Sequence, residues 1–378
     1  MTRGSAVPGA ARQRVFLVGY YGVPNLGDEA IRVAIERAAD RLGVDIVAYA
    51  ARARSDDPRA VPVGLRGLPA QVRAIRAADR VVLGGGGILK DEGLRLPAEL
   101  LLTAIVARLA GRRLTLLGVG VGPFYRRVGR WLVMAVARLA HVRTVRDEDS
   151  AAALRALRVS RVIVGADPIF STDSGPDGIR EAVPDAPPVD LGGRRAVVSV
   201  RPWFHTGPHD AQAVRQDALR RALADGLAPL LAADWTLDLV ALYRPRDREE
   251  SARLATLWTV PPGAVRVPVA EDPALDWGGL GSIVASADLV VAMRYHAIAA
   301  AALAERPIVA IAYEPKVASL AADLGIRAIA VDAPDLGASL AEHARAAVAG
   351  TPPTRPDPAA LADLRQRAWS ALRSALLD

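Results

Sequence analysis

Residues 287–316 have the sequence ADLVVAMRYHAIAAAALAERPIVAIAYEPK, in which two short apolar runs are each followed by charged residues. Residues 289–293 and 308–312 have the length and composition of buried parallel strands. Residues 297–303, between them, are small and apolar and are typical of a helix packed against such strands. The stretch therefore predicts a strand, a helix and a second strand of one parallel sheet.

Charged side chains follow both of these predicted strands. Arg294, Tyr295 and His296 are expected on the turn after the first strand, and Glu314 and Lys316 follow the second. Ligands of open parallel sheets bind outside the carboxyl ends of the strands. The sequence therefore predicts a site at this edge, and its charges favour an anionic ligand.

Lysine is rare in this chain. Of the 48 basic residues, Lys90 and Lys316 are the only lysines. An arginine presents a planar fork that stays charged, whereas a lysine is a compact charge that can lose its proton when partly buried. We therefore favour a functional role for Lys316 over that of an ordinary surface residue.

The composition restricts the class of protein. With 378 residues, of which 51% are apolar, the chain is long enough for two domains, and the absence of cysteine excludes disulfides, zinc–thiolate sites and cysteine nucleophiles. A net charge of +7 favours acidic partners such as phosphates or anionic lipid. No nucleic-acid-binding signature, signal peptide or membrane-spanning segment is evident, so we expect a cytoplasmic protein without a nucleic-acid partner.

A glycine-containing loop follows the first predicted strand, residues 15–18. Its sequence, GYYGVPNLGDE (residues 19–29), leads into a helix. The glycines would allow backbone amides to approach a ligand closely. Asn25 is expected to cap the helix or contact a ligand, and Asp28 to cap the helix or act as an acid or base.

Four consecutive glycines, Gly84, Gly85, Gly86 and Gly87, follow another apolar strand. A tight turn seldom needs four glycines, so we interpret them as a loop that a bulky or anionic ligand approaches.

Arg146 lies where a short strand, residues 141–145, meets a helix. This position places it at the ligand edge of the sheet. An ion pair with Asp147 or Glu148 is the alternative.

Residues 126–141 form a basic, apolar segment with helical spacing. Packing against the sheet is favoured, and peripheral contact with the cytoplasmic face of the membrane is the alternative.

Changes in composition suggest how the chain is divided. We expect a disordered N-terminus (1–14), a Rossmann-like domain (15–175), a linker (176–193), a second Rossmann-like domain (194–350) and a C-terminal helical extension (351–378) that packs back across the domains. The sequence indicates no oligomeric state.

Taken together, these motifs resemble the polysaccharide pyruvyl transferase family. The resemblance rests on GYYGxxNxGDEAI (19–31), the glycine run after residues 81–83, VRDExS (145–150), ADP (166–168), RxH (294–296) and YxxK (313–316). Tyr295 stands where the family more often has an aliphatic residue or phenylalanine.

The resemblance implies an α/β fold with two Rossmann-like domains, as in GT-B glycosyltransferases. It also implies phosphoenolpyruvate as donor and a ketal built on two hydroxyls of a sugar. Members similar to this chain act on N-acetylmannosamine in a lipid-linked cell-wall polymer precursor, and the product anchors surface-layer proteins.

The side chains suit such a donor. Arg146 and Arg294 offer forks for a carboxylate, and Lys316 offers a point charge for a phosphate. Because these residues come from both halves of the chain, the donor is expected in a cleft between the domains.

The ordinary pKa of a histidine side chain lies near neutral pH, so His296 suits either proton step, with Asp28 and Glu314 as candidates for the second acid or base. We expect neither a metal ion nor a cofactor.

Two other functions fit the sequence less well. In a sugar-nucleotide glycosyltransferase of the same architecture, Glu314 would hold a ribose and the glycine loops a diphosphate. A non-catalytic anion-binding or scaffold protein would not explain why Arg294, His296 and Lys316 are all present.

Overall fold

The computed structural model describes residues 12–52, 55–173, 193–203, 209–268 and 276–378. Of the expected disordered N-terminus, residues 1–11 lie outside the described residues, as does the expected linker up to residue 192. Strand β1 (Gln13–Tyr21) extends into the segment expected to be disordered, because Gln13 and Arg14 pair with strand β2 (Val44–Ala51).

The chain folds into two compact units. The first contains the described residues of 12–23, 31–168 and 367–378, and the second contains those of 24–30 and 169–366. The short segment 24–30 therefore belongs to the second unit, although its sequence lies near the N-terminus.

The first unit is built on a parallel sheet of seven described strands in the order β3-β2-β1-β4-β5-β6-β7. The further strands are β3 (Ala60–Pro62), β4 (Arg80–Gly84), β5 (Arg113–Val119), β6 (Val142–Val145) and β7 (Ile163–Val164). The helices that alternate with them are α1 (Leu26–Leu42), α2 (Leu68–Ala77), α3 (Arg95–Leu109), α4 (Arg127–Leu139) and α5 (Glu148–Ala156).

The second unit contains a parallel sheet of six described strands in the order β10-β9-β8-β11-β12-β13. The strands are β8 (Arg195–Ser199), β9 (Thr236–Val240), β10 (Val265–Arg266), β11 (Leu289–Ala292), β12 (Ile308–Ala312) and β13 (Ile329–Ala330). The described helices are α6 (His209–Leu231), α7 (Arg244–Ala255), α8 (Trp277–Ala285), α9 (Tyr295–Leu303), α10 (Pro315–Asp323), α11 (Leu336–Val348) and α12 (Pro358–Leu376).

Two apolar cores sandwich the first sheet. One joins the sheet to α3 and α4 through residues such as Leu100 and Val133. The other contains residues of α1 and of the end of α12, such as Ile35 and Leu372. The last turns of α12 therefore belong to the first unit, whereas its beginning belongs to the second.

Both sheets share one topology. The first strand of each unit lies inside the sheet, with the second and third strands on one side and the fourth and later strands on the other. The strand order reverses between β1 and β4 and again between β8 and β11. In open α/β sheets such reversal points are where ligands bind, outside the carboxyl ends of the strands.

The predicted strand at residues 308–312 is confirmed, as is the buried run that forms β11. The prediction that Tyr295 and His296 lie on a turn is wrong. Arg294 has extended backbone geometry and caps α9, so both residues belong to the first turn of the helix. Strands β3 and β13 are too short to carry a pattern, and helix α11 was not predicted although Leu336, Leu340 and Ala344 recur at helical spacing. No helix among the described residues is long and apolar enough to cross a membrane.

Candidate active site

Three neighbouring strands of the second unit, β8, β11 and β12, bring charged residues to one edge. In the sheet register, Ala292 of β11 lies opposite Ser199 of β8 and Ala310 of β12. Arg294 and Arg201 each follow the paired residue by two positions, so both lie at the same level, just past the ends of their strands. The charged residues expected at this edge are therefore present within this unit, and a ligand site there stays a prediction.

An aromatic ring flanked by two cations lies at this edge. The guanidinium carbon of Arg201 is 4.3 Å from the ring centroid of Tyr313, and Lys316 Nζ is 5.7 Å from it. Glu314 contacts both cations, with Oε1 3.4 Å from Arg201 Nη1 and Oε2 2.5 Å from Lys316 Nζ. The indole nitrogen of Trp203 donates to the carbonyl of Tyr313 at 3.1 Å. The cluster is thus a set of mutually oriented charges.

Arg294 is held by a buried carboxylate, Asp247 in the first turn of α7. Its Nε donates to Asp247 Oδ2 at 2.9 Å, and its Nη2 bonds the other carboxylate oxygen. Asp247 is fully buried and also accepts the backbone N–H of Tyr243 at 2.8 Å. Nη1 of Arg294 has no partner within the part of the chain that the structure describes.

Burial disfavours the charged form of Arg294, but its pKa is nevertheless raised. The charge and hydrogen bonds of Asp247 outweigh burial, and Tyr313 and Glu314 add to the effect. The protein therefore holds a permanently charged guanidinium in a fixed orientation beside the Tyr313 cluster.

His296 packs directly on the first turn of α1, which contains Gly27. A Cβ atom added at Gly27 would overlap Nδ1 and Cγ of the imidazole, so glycine is needed for this close approach. The half-buried ring also meets the ring of Tyr295 edge-on, at 5.2 Å between centroids. The motifs at residues 19–31 and 294–296, which are far apart in the sequence, are thereby in contact within the second unit.

Hydrogen bonds fix the start of α1. Asn25 accepts the backbone N–H of Gly27 on Oδ1 at 3.2 Å, and its Nδ2 donates to Asp28 at 2.5 Å. Leu26 N donates to the carbonyl of Leu242 at 2.9 Å. Asn25 therefore caps α1, as one of its predicted roles requires, and it also orients the buried carboxylate of Asp28.

Arg146 belongs to the first unit, where the ion pair considered from sequence is formed. Only 6% of Arg146 is exposed, and its Nε donates to Asp147 Oδ2 at 2.8 Å. The guanidinium also packs on Gly120, where an added Cβ would lie 2.7 Å from Cζ. Donor binding by Arg146 stays a prediction.

Asp147 has a second role, as the cap of α5. Its Oδ1 accepts the backbone N–H of Ser150 at 2.7 Å. Burial alone would raise the pKa of Asp147, but the charge of Arg146 and the hydrogen bonds from Ser150 and Arg146 outweigh it, so the pKa is lowered.

Packing explains two of the four consecutive glycines without a ligand. A Cβ at Gly84 would come within 3.1 Å of Leu17, and one at Gly85, where φ is +68°, would overlap Ile31. Gly86 accepts the N–H of Gly120 at 2.8 Å, which ties the loop to the end of β5. At Gly87 an added Cβ would meet nothing within 4 Å. Helix α1 thus packs against the first half of the run, and ligand contact with the four glycines stays a prediction.

Sequence reasoning missed two residues of the site, Arg201 and Asp247. Arg201 follows a buried strand just as Arg294 does, so the same rule would have found it. Asp247 has no comparable signal, because only the fold brings α7 to Arg294.

The two Rossmann-like units define a protein of the GT-B-like α/β class, as expected from the sequence. UDP-GlcNAc 2-epimerase from Neisseria meningitidis is similar, with a TM-score of 0.60 and 10% identity over 97% of this chain and 100% of that one. UDP-GlcNAc 2-epimerase from Methanocaldococcus jannaschii has a TM-score of 0.56 and 11% identity, over 96% of this chain and 99% of that one. A trehalose-phosphate synthase from Burkholderia vietnamiensis has a TM-score of 0.51 and 14% identity, over 96% of this chain and 94% of that one. At these identities the likeness concerns the fold alone.

The chain belongs to the polysaccharide pyruvyl transferase family, whose model matches residues 25–315. The match begins at Asn25 and ends next to Lys316, so it includes Asp28, Arg294 and His296. This confirms the resemblance carried by the sequence motifs and makes the protein a transferase. A comparison with curated protein sequences finds no significant match.

Proposed function

We propose that the protein transfers pyruvate from phosphoenolpyruvate, as a ketal, onto a sugar of a lipid-linked cell-wall polysaccharide precursor and releases phosphate. N-acetylmannosamine is the proposed acceptor sugar. The observation that carries the proposal is the grouping of Arg201, Arg294 and Lys316 at one sheet edge, in the unit that also holds His296. Family membership supplies the reaction class.

The cations match the two charged groups of this donor. Phosphoenolpyruvate presents a planar carboxylate and a phosphate, which suit a guanidinium and an ammonium respectively. Arg294 is positioned by Asp247 and keeps Nη1 for a ligand, while Glu314 restricts the motion of Arg201 and Lys316. Such preorganised charges bind an anion at a low entropic cost.

The reaction forms two C–O bonds from the acceptor hydroxyls to the central carbon of the donor, and the bond from that carbon to the phosphate oxygen breaks. The two acceptor hydroxyls lose two protons. The methylene carbon gains one proton and becomes a methyl group, and the released phosphate carries the other. We assign the protonation to His296, a residue type suited to proton transfer at neutral pH. Asp28 and Glu314 are the candidates for the base.

The assignment is tested by supplying the protein with phosphoenolpyruvate and a lipid-linked saccharide ending in N-acetylmannosamine. The expected products are free phosphate and an acceptor whose mass and fragmentation show one pyruvate ketal. A parallel reaction contains UDP-sugars in place of phosphoenolpyruvate. Release of UDP there, with no phosphate from phosphoenolpyruvate, would instead establish a glycosyltransferase.

Matched acceptors separate the substrate from the reaction. Acceptors ending in N-acetylglucosamine or galactose are expected to react more slowly than the N-acetylmannosamine acceptor. Ketal formation on one of these alone would overturn the acceptor assignment and leave the donor assignment standing. Donor binding is measured independently, because phosphoenolpyruvate at saturation should raise the melting temperature and UDP should not.

A further inference from the structure

Helix α3 carries a stripe of exposed apolar residues. Leu102, Ile105 and Leu109 are 37%, 41% and 83% exposed. Their spacing of three and four residues places them on one face of the helix. The opposite face is buried in the core of the first unit through Leu100, Ala104 and Ala107.

Helix α4 carries a second exposed apolar stripe. Val128 and Trp131 are each 56% exposed, and Tyr125, just before the helix, is 68% exposed. Its opposite face, which includes Val133 and Val136, is buried in the same core as that of α3. The two helices also pack against each other, so both stripes lie on the outer side of the same layer. We call this surface the α3–α4 face.

The charge of this region has a single sign. Residues 100–146 contain nine arginines and no aspartate, glutamate or lysine. In this segment Arg126, Arg127 and Arg130 at the start of α4 are exposed, as are Arg108 and Arg138 at the ends of the two helices. Among the described residues these five arginines form no ion pair, although the buried Asp91 carboxylate accepts the backbone N–H of Arg126. An exposed apolar surface bordered by unpaired arginines is the pattern of proteins that bind anionic membrane surfaces.

We propose that the α3–α4 face docks onto a bilayer of anionic phospholipid. Leu102, Ile105, Leu109 and Val128 would enter the boundary between headgroups and acyl chains. Trp131 and Tyr125 have the amphipathic rings that favour the headgroup level. The arginines at the start of α4 would bind lipid phosphates.

Charge complementarity favours this occupant over a second copy of the chain. A symmetric dimer through the face would bring the same arginines against one another. Residues 100–146 offer no carboxylate to compensate them. A nucleic acid would complement the arginines, but it would leave the aliphatic stripe of α3 in water. The proposal does not depend on the donor or acceptor, since bilayer binding is measured without either.

The test is co-sedimentation of the full chain with vesicles of phosphatidylglycerol and phosphatidylcholine, or of phosphatidylcholine alone. The wild type should bind the anionic vesicles at least about tenfold more tightly. Val128→Asp and the double variant Arg127→Glu/Arg130→Glu should each weaken that binding at least about tenfold. All three side chains are exposed, so the variants should keep the wild-type circular dichroism and melting temperature.

Helix α6 of the second unit supplies matched controls. Val214→Asp changes a valine that is 69% exposed, and Arg215→Glu/Arg221→Glu changes two exposed arginines of one helix. Both controls should bind vesicles as the wild type does. Quenching by lipids brominated in the acyl chain should fall when Trp131 is replaced by phenylalanine, because the other five tryptophans would stay outside the bilayer.

Three results would overturn the proposal. The first is no preference for anionic vesicles. The second is an equal loss of vesicle binding in the Val214→Asp and Val128→Asp variants, or a loss in Arg127→Glu/Arg130→Glu with none in Val128→Asp. The third is a dimer, detected by light scattering, that Val128→Asp dissociates, which would assign the α3–α4 face to a second copy.

Discussion

Each unit has an arginine–aspartate pair just past the end of a strand, although the two strands hold different places in their sheets, since β11 is next to β8 whereas β6 is the third strand beyond β1. Arg146 follows strand β6 and pairs with Asp147, and Arg294 follows strand β11 and pairs with Asp247. The first partner is the adjacent residue, which also caps its own helix. The second comes from α7 and accepts the Arg294 guanidinium and the backbone N–H of Tyr243.

The difference shows that an arginine–aspartate pair can either stabilise a junction or orient a cation. The Arg146 pair is almost fully buried and stabilises a strand-to-helix junction. The Arg294 side chain is 18% exposed and lies beside Tyr313 and Glu314, so its carboxylate partner fixes a cation at a charged edge. Since both sheets share one topology, the side chains beyond the strand ends, not the fold, give the second unit its chemical character.

The largest expected effect tests whether the second unit carries the chemistry. His296→Ala should lower kcat by roughly two to four orders of magnitude, with little change in the KM for phosphoenolpyruvate. His343→Ala, at a half-buried histidine of α11, is the matched control and should leave kcat unchanged. Steady-state phosphate release gives both constants. Near-normal turnover of His296→Ala would move the proton-transfer role to Asp28 or Glu314.

The next prediction concerns the contact between His296 and Gly27 in the first turn of α1. Gly27→Ala should lower kcat by about 10²-fold, because the added methyl group must displace the imidazole by roughly an ångström. Gly93→Ala is the control, since a Cβ there meets nothing within 4 Å and no positive φ is involved. Equal losses in both variants would show that the His296 position is not critical.

The two aspartates can then be compared directly. Asp247→Asn should raise the KM for phosphoenolpyruvate by roughly 10- to 100-fold, because Arg294 loses the carboxylate that orients it and compensates its burial. Asp147→Asn should leave that KM unchanged. Each substitution breaks a buried pair and should lower the free energy of unfolding by about 3 kcal/mol or more, measured by urea denaturation.

A KM increase of the same size in Asp147→Asn would contradict this division of roles. It would instead support the prediction from sequence that Arg146 binds the donor.

The smallest effect is the pH dependence of the Asp147 pair. The pKa of Asp147 is lowered in the folded chain, so its contribution to stability is complete above the unfolded value of about 4 and is lost as the pH falls through the folded value. The wild type should therefore lose more unfolding free energy than Asp147→Asn when the pH is lowered from about 7 to below about 4. Parallel curves for the two proteins would show that the Asp147 pKa is not lowered.

Much of the charged edge could be predicted from the sequence. Apolar runs such as residues 308–312 predict buried strands. Parallel strands place the residues that follow them at one shared edge of the sheet. Because they follow predicted strands, Arg294 and Lys316 can be assigned to this edge from the sequence alone. The family motifs added the reaction class, because their combination is more specific than any one of them.

The remaining features depended on which elements lie side by side. Asp247 meets Arg294, and Gly27 meets His296, only because β8 lies between β9 and β11 and because residues 24–30 join the second unit. Packing likewise decided that Gly84 and Gly85 make room for α1. Sequence patterns report the burial and direction of single elements, which are local properties. Contacts between distant side chains depend on strand order and helix packing, and these are decided by the free energy of the whole fold.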